Sequence, residues 1–162
     1  MRKRMSALAG VIGDEVMWAN AALSHLPFSL SRIPPARRTS LILSNSAPAC
    51  VSDDRGAALA ALRRYLVFCL KLPNYQNYFI EAGYEEEVAA ARSAIERGDD
   101  WAVMAAIPEG MASDVALFGS RAEVLERAEA WEEAGITHLV LDCTCARGDR
   151  LGAAYEVMEA FA

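Results

Sequence analysis

Three short, nearly continuous apolar runs separated by helical stretches predict an α/β fold, in which parallel strands form a layer covered by helices. The runs are Val16-Met17-Trp18-Ala19, Leu41-Ile42-Leu43 and Thr137-His138-Leu139-Val140-Leu141. Parallel strands are buried on both faces, so their sequences lose the apolar and polar alternation of a half-exposed strand. With 162 residues, of which 54% are hydrophobic and 23% charged, the chain can build one core, and 1–162 is read as a single domain.

The elements follow from local signals. Met5 to Ile12 carries a helical spacing of apolar residues that ends near Gly13, and the first strand follows at once. Asn20 to Leu30 is helical again but short or bent, because Pro27 lacks an N–H to donate. Ile33-Pro34-Pro35 stops it, and a loop leads to an extended segment, Thr39 to Val51, interrupted near its end by Asn45, Ser46 and Pro48. Asp53 and Asp54 are N-caps for a helix whose apolar positions recur from Ala58 to Cys69, until Leu72-Pro73 ends it.

Residues 74–112 contain no strand signal. Tyr75 to Ile80, Val88 to Ile95 and Trp101 to Ile107 predict three short helices divided by Gly83 and Gly98, so the region reads as a helical insertion. Val115 to Phe118 is a short extended piece. Ser120-x-x-Glu123 is a capping box that opens a helix running to Gly135, and Gly148 to Phe161 closes the chain with an apolar-faced helix after the third strand.

Charge and composition exclude several function classes. Lys and Arg number 16 against 22 Asp and Glu, a net charge of −6 that offers no cationic face to a nucleic-acid backbone. Mean hydropathy is +0.12, and no apolar run reaches the roughly 18 to 20 residues of a membrane span. Met1-Arg2-Lys3-Arg4 before an apolar stretch has the outline of a signal peptide. Asp14 and Glu15 then interrupt that pattern, and the expectation is a cytoplasmic chain. The four cysteines, at 50, 69, 143 and 145, have neither disulfide-framework nor zinc-site spacing, and read as small buried apolar residues with no metal.

Several segments are more specific. Ser113-Asp114-Val115-Ala116-Leu117-Phe118-Gly119-Ser120, then Glu123-Val124-x-Glu126-Arg127 and Glu133-Ala134-Gly135-Ile136-Thr137-His138-Leu139, resemble the C-terminal part of the luciferase-like monooxygenase superfamily. Leu8-Ala9-Gly10, Ile12-Gly13-Asp14 and Val16 to Ala19 resemble its helix-to-strand passage. Leu72-Pro73-Asn74-Tyr75-x-Asn77-Tyr78 with Glu81-Ala82-Gly83-Tyr84 is similar to the insertion of its deazaflavin-dependent branch.

The resemblance implies a (β/α)8 barrel fold, of about eight strands and 250 residues. This chain accounts for three or four strands, and is expected to be a partial TIM-barrel-like unit carrying the helical insertion at about 74–112. The resemblance places a Gly-Pro phosphate-binding turn before the first helix, where this sequence has Met1 to Arg4. It also places most contacts to the flavin ring on the first five strands, for which this sequence has no counterpart.

Barrel chemistry sits at the C-terminal strand ends, which makes Asn20, Asn45 to Ala47 and Cys143 to Gly148 the segments of interest. Asn20 and Asn45 either turn the chain or offer a donor and an acceptor to a planar polar ring. Ser46 stands beside Asn45. Thr144, Arg147 and Gly148 precede the last helix, whose free N–H groups with the Arg147 guanidinium can hold an anion, and a solvated loop is the other reading. His25 is the one acid–base candidate, against a place on a helix surface. His138 reads as structural. Tyr75, Tyr78, Phe79 and Tyr84 either line a pocket mouth or belong to the core, and Glu85-Glu86-Glu87 reads as an exposed first helical turn.

Two functions follow. One is part of a flavin- or deazaflavin-dependent oxidoreductase (FMN or a coenzyme F420-type deazaflavin), moving a hydride to or from a small organic substrate and incomplete for catalysis alone. The other is a non-catalytic binding or assembly module derived from the same barrel. Both leave strand edges and apolar faces uncovered, so the expected partner is a second copy, in a homodimer or higher oligomer, unless the insertion folds back as a lid or a separate chain supplies the missing strands.

Overall fold

The structure is a computed structural model that describes residues 3–162. Met1 and Arg2, and with them the start of the signal-like segment and of the stretch matched to the phosphate turn, lie outside the described residues. Helix α1 (Lys3–Ile12) passes through Gly13 into β1 (Glu15–Ala19). A 3-10 turn (Leu23–His25) runs into α2 (Leu26–Ser31), where Pro27 occupies a first-turn position that needs no N–H. The segment expected to be a loop holds one more helical turn, α3 (Pro35–Arg38), because Pro35 pre-sets a helical φ at its first residue.

Strand β2 (Ile42–Val51) is 10 residues long and passes straight through Asn45, Ser46 and Pro48. The expected interruption does not occur because β1 pairs with β2 only as far as Ala19 opposite Ser46. Ladder bonds on that edge alternate along β2, from Ile42 N to Asp14 O and from Asn20 N to Ser46 O. Pro48 therefore turns its missing N–H toward an edge that β1 has already left.

Helix α4 (Arg55–Leu70) is capped by Asp54, whose Oδ1 accepts from Ala57 N at 3.0 Å. The insertion holds four helices rather than three: α5 (Pro73–Glu81), α6 (Glu85–Glu96), α7 (Asp100–Ala105) and α8 (Glu109–Val115). Pro108 separates α7 from α8, and α8 takes Val115, leaving only Leu117–Gly119 for β3. Ser120 and Glu123 form the expected capping box at the start of α9 (Arg121–Glu133). Gly119 has φ +117°, and a Cβ there would collide with the Glu123 carboxylate that makes the box. Strand β4 (His138–Cys143) and α10 (Arg150–Ala160) complete the chain.

All pairings are parallel. Strand β2 is central, with β1 on one edge and β4 on the other over overlapping residues, and β3 extends its last three positions. Side chains alternate between the two faces, and the faces fare differently. Val16, Trp18, Leu43, Asn45, Ala47 and Ala49 are buried under the helices. On the other face Met17, Ile42 and Val140 are 45%, 43% and 45% exposed. The expected continuous burial of the runs thus gives way to alternation, since helices cover only one face over this half of the sheet. The C-terminal half of the second face is closed, with Pro48 and Cys50 buried where α4 packs on β2.

Candidate functional site

The C-terminal ends of β1, β2 and β4 meet beneath α4 and α5. Asn20 leaves β1 with φ 54°, the one non-glycine residue of positive φ among the described residues, a conformation that asparagine tolerates. Its backbone N–H donates to Ser46 O at 2.8 Å, which finishes the ladder. The side chain turns up into the helices, where Nδ2 donates to the Tyr75 hydroxyl at 3.2 Å and to Cys69 Sγ at 3.4 Å. Asn20 Oδ1 is buried without a partner.

Tyr65 on α4 stands between Asn20 and Asp142. Burial, the largest cause, pushes its hydroxyl up to about 12; the Asn20 amide opposes the shift and the Asp142 carboxylate adds to it. Cys69, one helical turn on, is pushed up to about 12 by burial and then by the charge of Asp142. These protonated groups form a lid over the strand ends.

Asn45 and Ser46 stand mid-strand in β2, level with the end of β1. Asn45 is fully buried on the helix-covered face, where Oδ1 accepts from Ala21 N at 3.4 Å and Nδ2 has no partner. Ser46 belongs to the opposite face, between Ala19 and Val140. The structure therefore does not bring the two side chains to one site.

Thr144 holds the end of β4, its N–H donating to Ala49 O at 2.8 Å. It lines a cleft of about 370 Å³ with Ala61, Arg64, Tyr65, Asp142, Cys145 and Arg150. Arg147 lies in a neighbouring cleft of about 640 Å³, and Gly148, with φ +88°, forms the exposed loop tip. The anion-binding features of this loop are answered by the chain's own carboxylates. Arg147 pairs with Asp54 at 2.6 Å, Arg150 with Asp142 at 2.9 Å, and Asp149 caps α10 by accepting from Gly152 N at 2.7 Å.

His25 sits in the 3-10 turn, half-buried, with its ring 4.9 Å from Phe28 and 5.6 Å from Tyr78. Burial lowers its pKa, against the carboxylates of Glu81 and Asp114. His138 is exposed on the open sheet face. The aromatic cluster is core with hydroxyl tethers. Tyr78 and Phe79 are buried, Tyr78 OH accepts from Ala22 N at 2.9 Å, and Tyr84 OH donates to Asp114 at 2.8 Å. Asp114 also accepts from Ser24 N at 2.8 Å and Ser24 Oγ at 2.6 Å, and so clasps α8 to the turn after β1.

Tyr65, Cys69, Asp114 and Asp142 had drawn no attention in the sequence as site residues. Asp142 carried an available signal, a carboxylate directly after an apolar strand. Tyr65 and Cys69 had none, since an i, i+4 pair on the apolar side of a helix reads as core.

A planar cofactor with a phosphate tail needs ring partners and an anion site. In this chain the Asn20 amide is engaged by α4 and α5, Asn45 faces the covered side, and the loop cations are paired. One copy alone does not fit the whole group.

A sequence model of the luciferase-like monooxygenase family matches residues 1–138. No curated protein matches the sequence significantly. Among solved structures, the coenzyme F420-dependent tetrahydromethanopterin reductase from Methanopyrus kandleri is similar with a TM-score of 0.75 and 17% identity. The match covers 96% of this chain and 46% of that one. An F420-dependent secondary alcohol dehydrogenase, in complex with an F420-acetone adduct, gives a TM-score of 0.59 and 17% identity, covering 98% and 45%. The chain thus spans about half the length of the structures it matches, and shares their fold.

Proposed function

The chain belongs to the luciferase-like monooxygenase family, and from that premise we propose that it forms the C-terminal wall of a flavin- or deazaflavin-dependent oxidoreductase barrel. In that role it contributes part of the barrel wall to a site that moves a hydride to or from a small organic substrate, and it does not complete that site as a single copy. The deazaflavin branch is favoured by the coenzyme named for both structural neighbours. One observation carries the reading: the sheet is covered on one face and open over the N-terminal half of the other, with β1 and β4 as unpaired edges among the described residues. The reading places the chain in the cytoplasm, in keeping with four cysteines carried as free thiols, and as an assembly of copies.

A second reading, a non-catalytic assembly module, is favoured by the lid itself, because Tyr65, Cys69 and Tyr75 occupy Asn20 from within the chain. Titration of the purified chain with coenzyme F420 and with FMN, followed by cofactor fluorescence, tests the proposal. Dissociation constants no tighter than roughly 10 μM, about 7 kcal/mol, are expected for both. Sub-micromolar stoichiometric binding would show a complete site in one copy and overturn the incompleteness.

A further inference from the structure

Two of the four cysteines meet at the end of the central strand. Cys50, next to last in β2, is 1% exposed on the face that α4 closes. The ladder between β2 and β4 ends with Ala49 opposite Cys143, and Thr144 N–H then donates to Ala49 O at 2.8 Å. The chain therefore runs on beside Cys50, where Ala146 N–H donates to the Cys50 sulfur. Cys145 is the residue between these two tethers. At strand spacing, a residue one step past the direct neighbour lies about 6 Å away, inside the roughly 4.4–6.8 Å between Cα atoms that a disulfide spans. Two residues on, Arg147 pairs with Asp54 at 2.6 Å and holds the loop against the segment that follows β2.

The two thiols differ in access. Cys145 is half-buried and lines the cleft of about 370 Å³ that also holds Arg64 and Arg150, and its Sγ makes only a weak bond to Gly148 O at 3.7 Å. Burial pushes the Cys50 thiol up to about 11, with the Ala146 N–H opposing and the nearby Cys145 adding to the shift. An oxidant from solvent therefore meets Cys145 first. The other cysteines are placed elsewhere: Cys143 shares a face with Ala49, opposite to that of Cys50, and Cys69 on α4 is held by Asn20 Nδ2. We propose that Cys145 and Cys50 are a hydroperoxide-reactive pair, the first the attacking and the second the resolving cysteine, whose disulfide fixes the loop after β4 to the end of β2. The Cys145 sulfur attacks one peroxide oxygen, so that an S–O bond forms, the O–O bond breaks, and water or an alcohol leaves with the thiol proton. The Cys50 sulfur then attacks the Cys145 sulfur, an S–S bond replaces S–O, and the hydroxyl leaves as water with the Cys50 proton. The two sulfurs together lose two electrons and the peroxide gains them. The pair uses no flavin or deazaflavin, so its test and the cofactor titration can fail independently.

Hydrogen peroxide added to the reduced full chain, followed by thiol counting and mass mapping of unreduced peptides, tests the pair. Two of the four free thiols are expected to disappear, with one peptide linking Cys50 to Cys145 and both thiols restored by dithiothreitol. Cys145→Ser, a change in a surface loop, is expected to leave Cys50 reduced under the same treatment. In Cys50→Ala, Cys145 is expected to stop at the sulfenic acid and to be trapped by dimedone. Cys143→Ser is expected to keep the link. Survival of all four thiols, a link from Cys145 to Cys143 or to a second copy, or oxidation of Cys50 in Cys145→Ser would overturn the proposal.

Discussion

The two ends of one sheet face make the most informative contrast in the molecule. Toward the C-terminal strand ends the face is closed by the chain itself, with Tyr65, Cys69 and Tyr75 reaching Asn20 and Asp142. Toward the N-terminal ends the same face carries Met17, Ile42 and Val140 into solvent. The difference teaches that α4 and the insertion finish one end, whereas the other end stays open among the described residues.

The largest expected effect comes from exchanging adjacent residues of β2 for aspartate. Leu43 is 5% exposed and faces the helices, while its neighbour Ile42 faces the open side. Leu43→Asp buries an unpaired charge at a cost of several kcal/mol and is expected to abolish the cooperative unfolding transition. Ile42→Asp is expected to keep the native circular dichroism and to lose only self-association. Equal damage from both would erase the contrast.

The closed end is held by Asp114 as much as by Asn20. Asp114→Ala removes the acceptor of three hydrogen bonds, from Ser24 N, Ser24 Oγ and Tyr84 OH. A loss of about 2–4 kcal/mol in denaturant unfolding is expected. Asn20→Ala is expected to cost less, about 1–2 kcal/mol, by orphaning Tyr75 and Cys69 and forcing alanine to the positive φ of that position. Asn20→Gly accepts that φ, so its excess stability over Asn20→Ala reads the backbone share alone.

Alkaline titration gives the smallest effect and separates the two ends by chemistry. Tyr65, Tyr78 and Cys69 are pushed up to about 12 by burial, so the folded chain holds protons that the unfolded chain releases from about pH 9 to 10. Their contribution is intact below that range and is lost as pH rises toward about 12. Thermal midpoints are expected to fall progressively over this window. Tyr65 and Tyr78 should ionise above the ordinary tyrosine range by absorbance, and a normal titration of Tyr65 would argue against the lid.

Much of this architecture was legible in the sequence. The three apolar runs located β1, β2 and β4, and Ser120-x-x-Glu123 marked the start of α9, because capping and strand burial are local in cause. What escaped was set by tertiary context. Pro48 looked like a strand breaker, yet the missing N–H meets an edge that β1 has vacated. Trp18 and Met17 looked alike as apolar neighbours, and only the placement of helices decides that the first is buried and the second is not. At the candidate site, Asn20 was visible as a polar residue ending a strand, but its engagement by Tyr75, 55 positions away, has no trace in local sequence. The Arg147 loop showed its cations; the answering carboxylate of Asp54, 93 positions away, could not be read from spacing.

Hydrogen exchange measured at two protein concentrations tests the unfinished face most directly. Strand β2 has neighbours on both edges within one copy, whereas β1 and β4 each have one free edge. The account predicts that amides of β1 and β4 exchange markedly more slowly at micromolar than at low nanomolar concentration, while those of β2 exchange equally slowly at both. Exchange of β1 and β4 that is the same at both concentrations would contradict it.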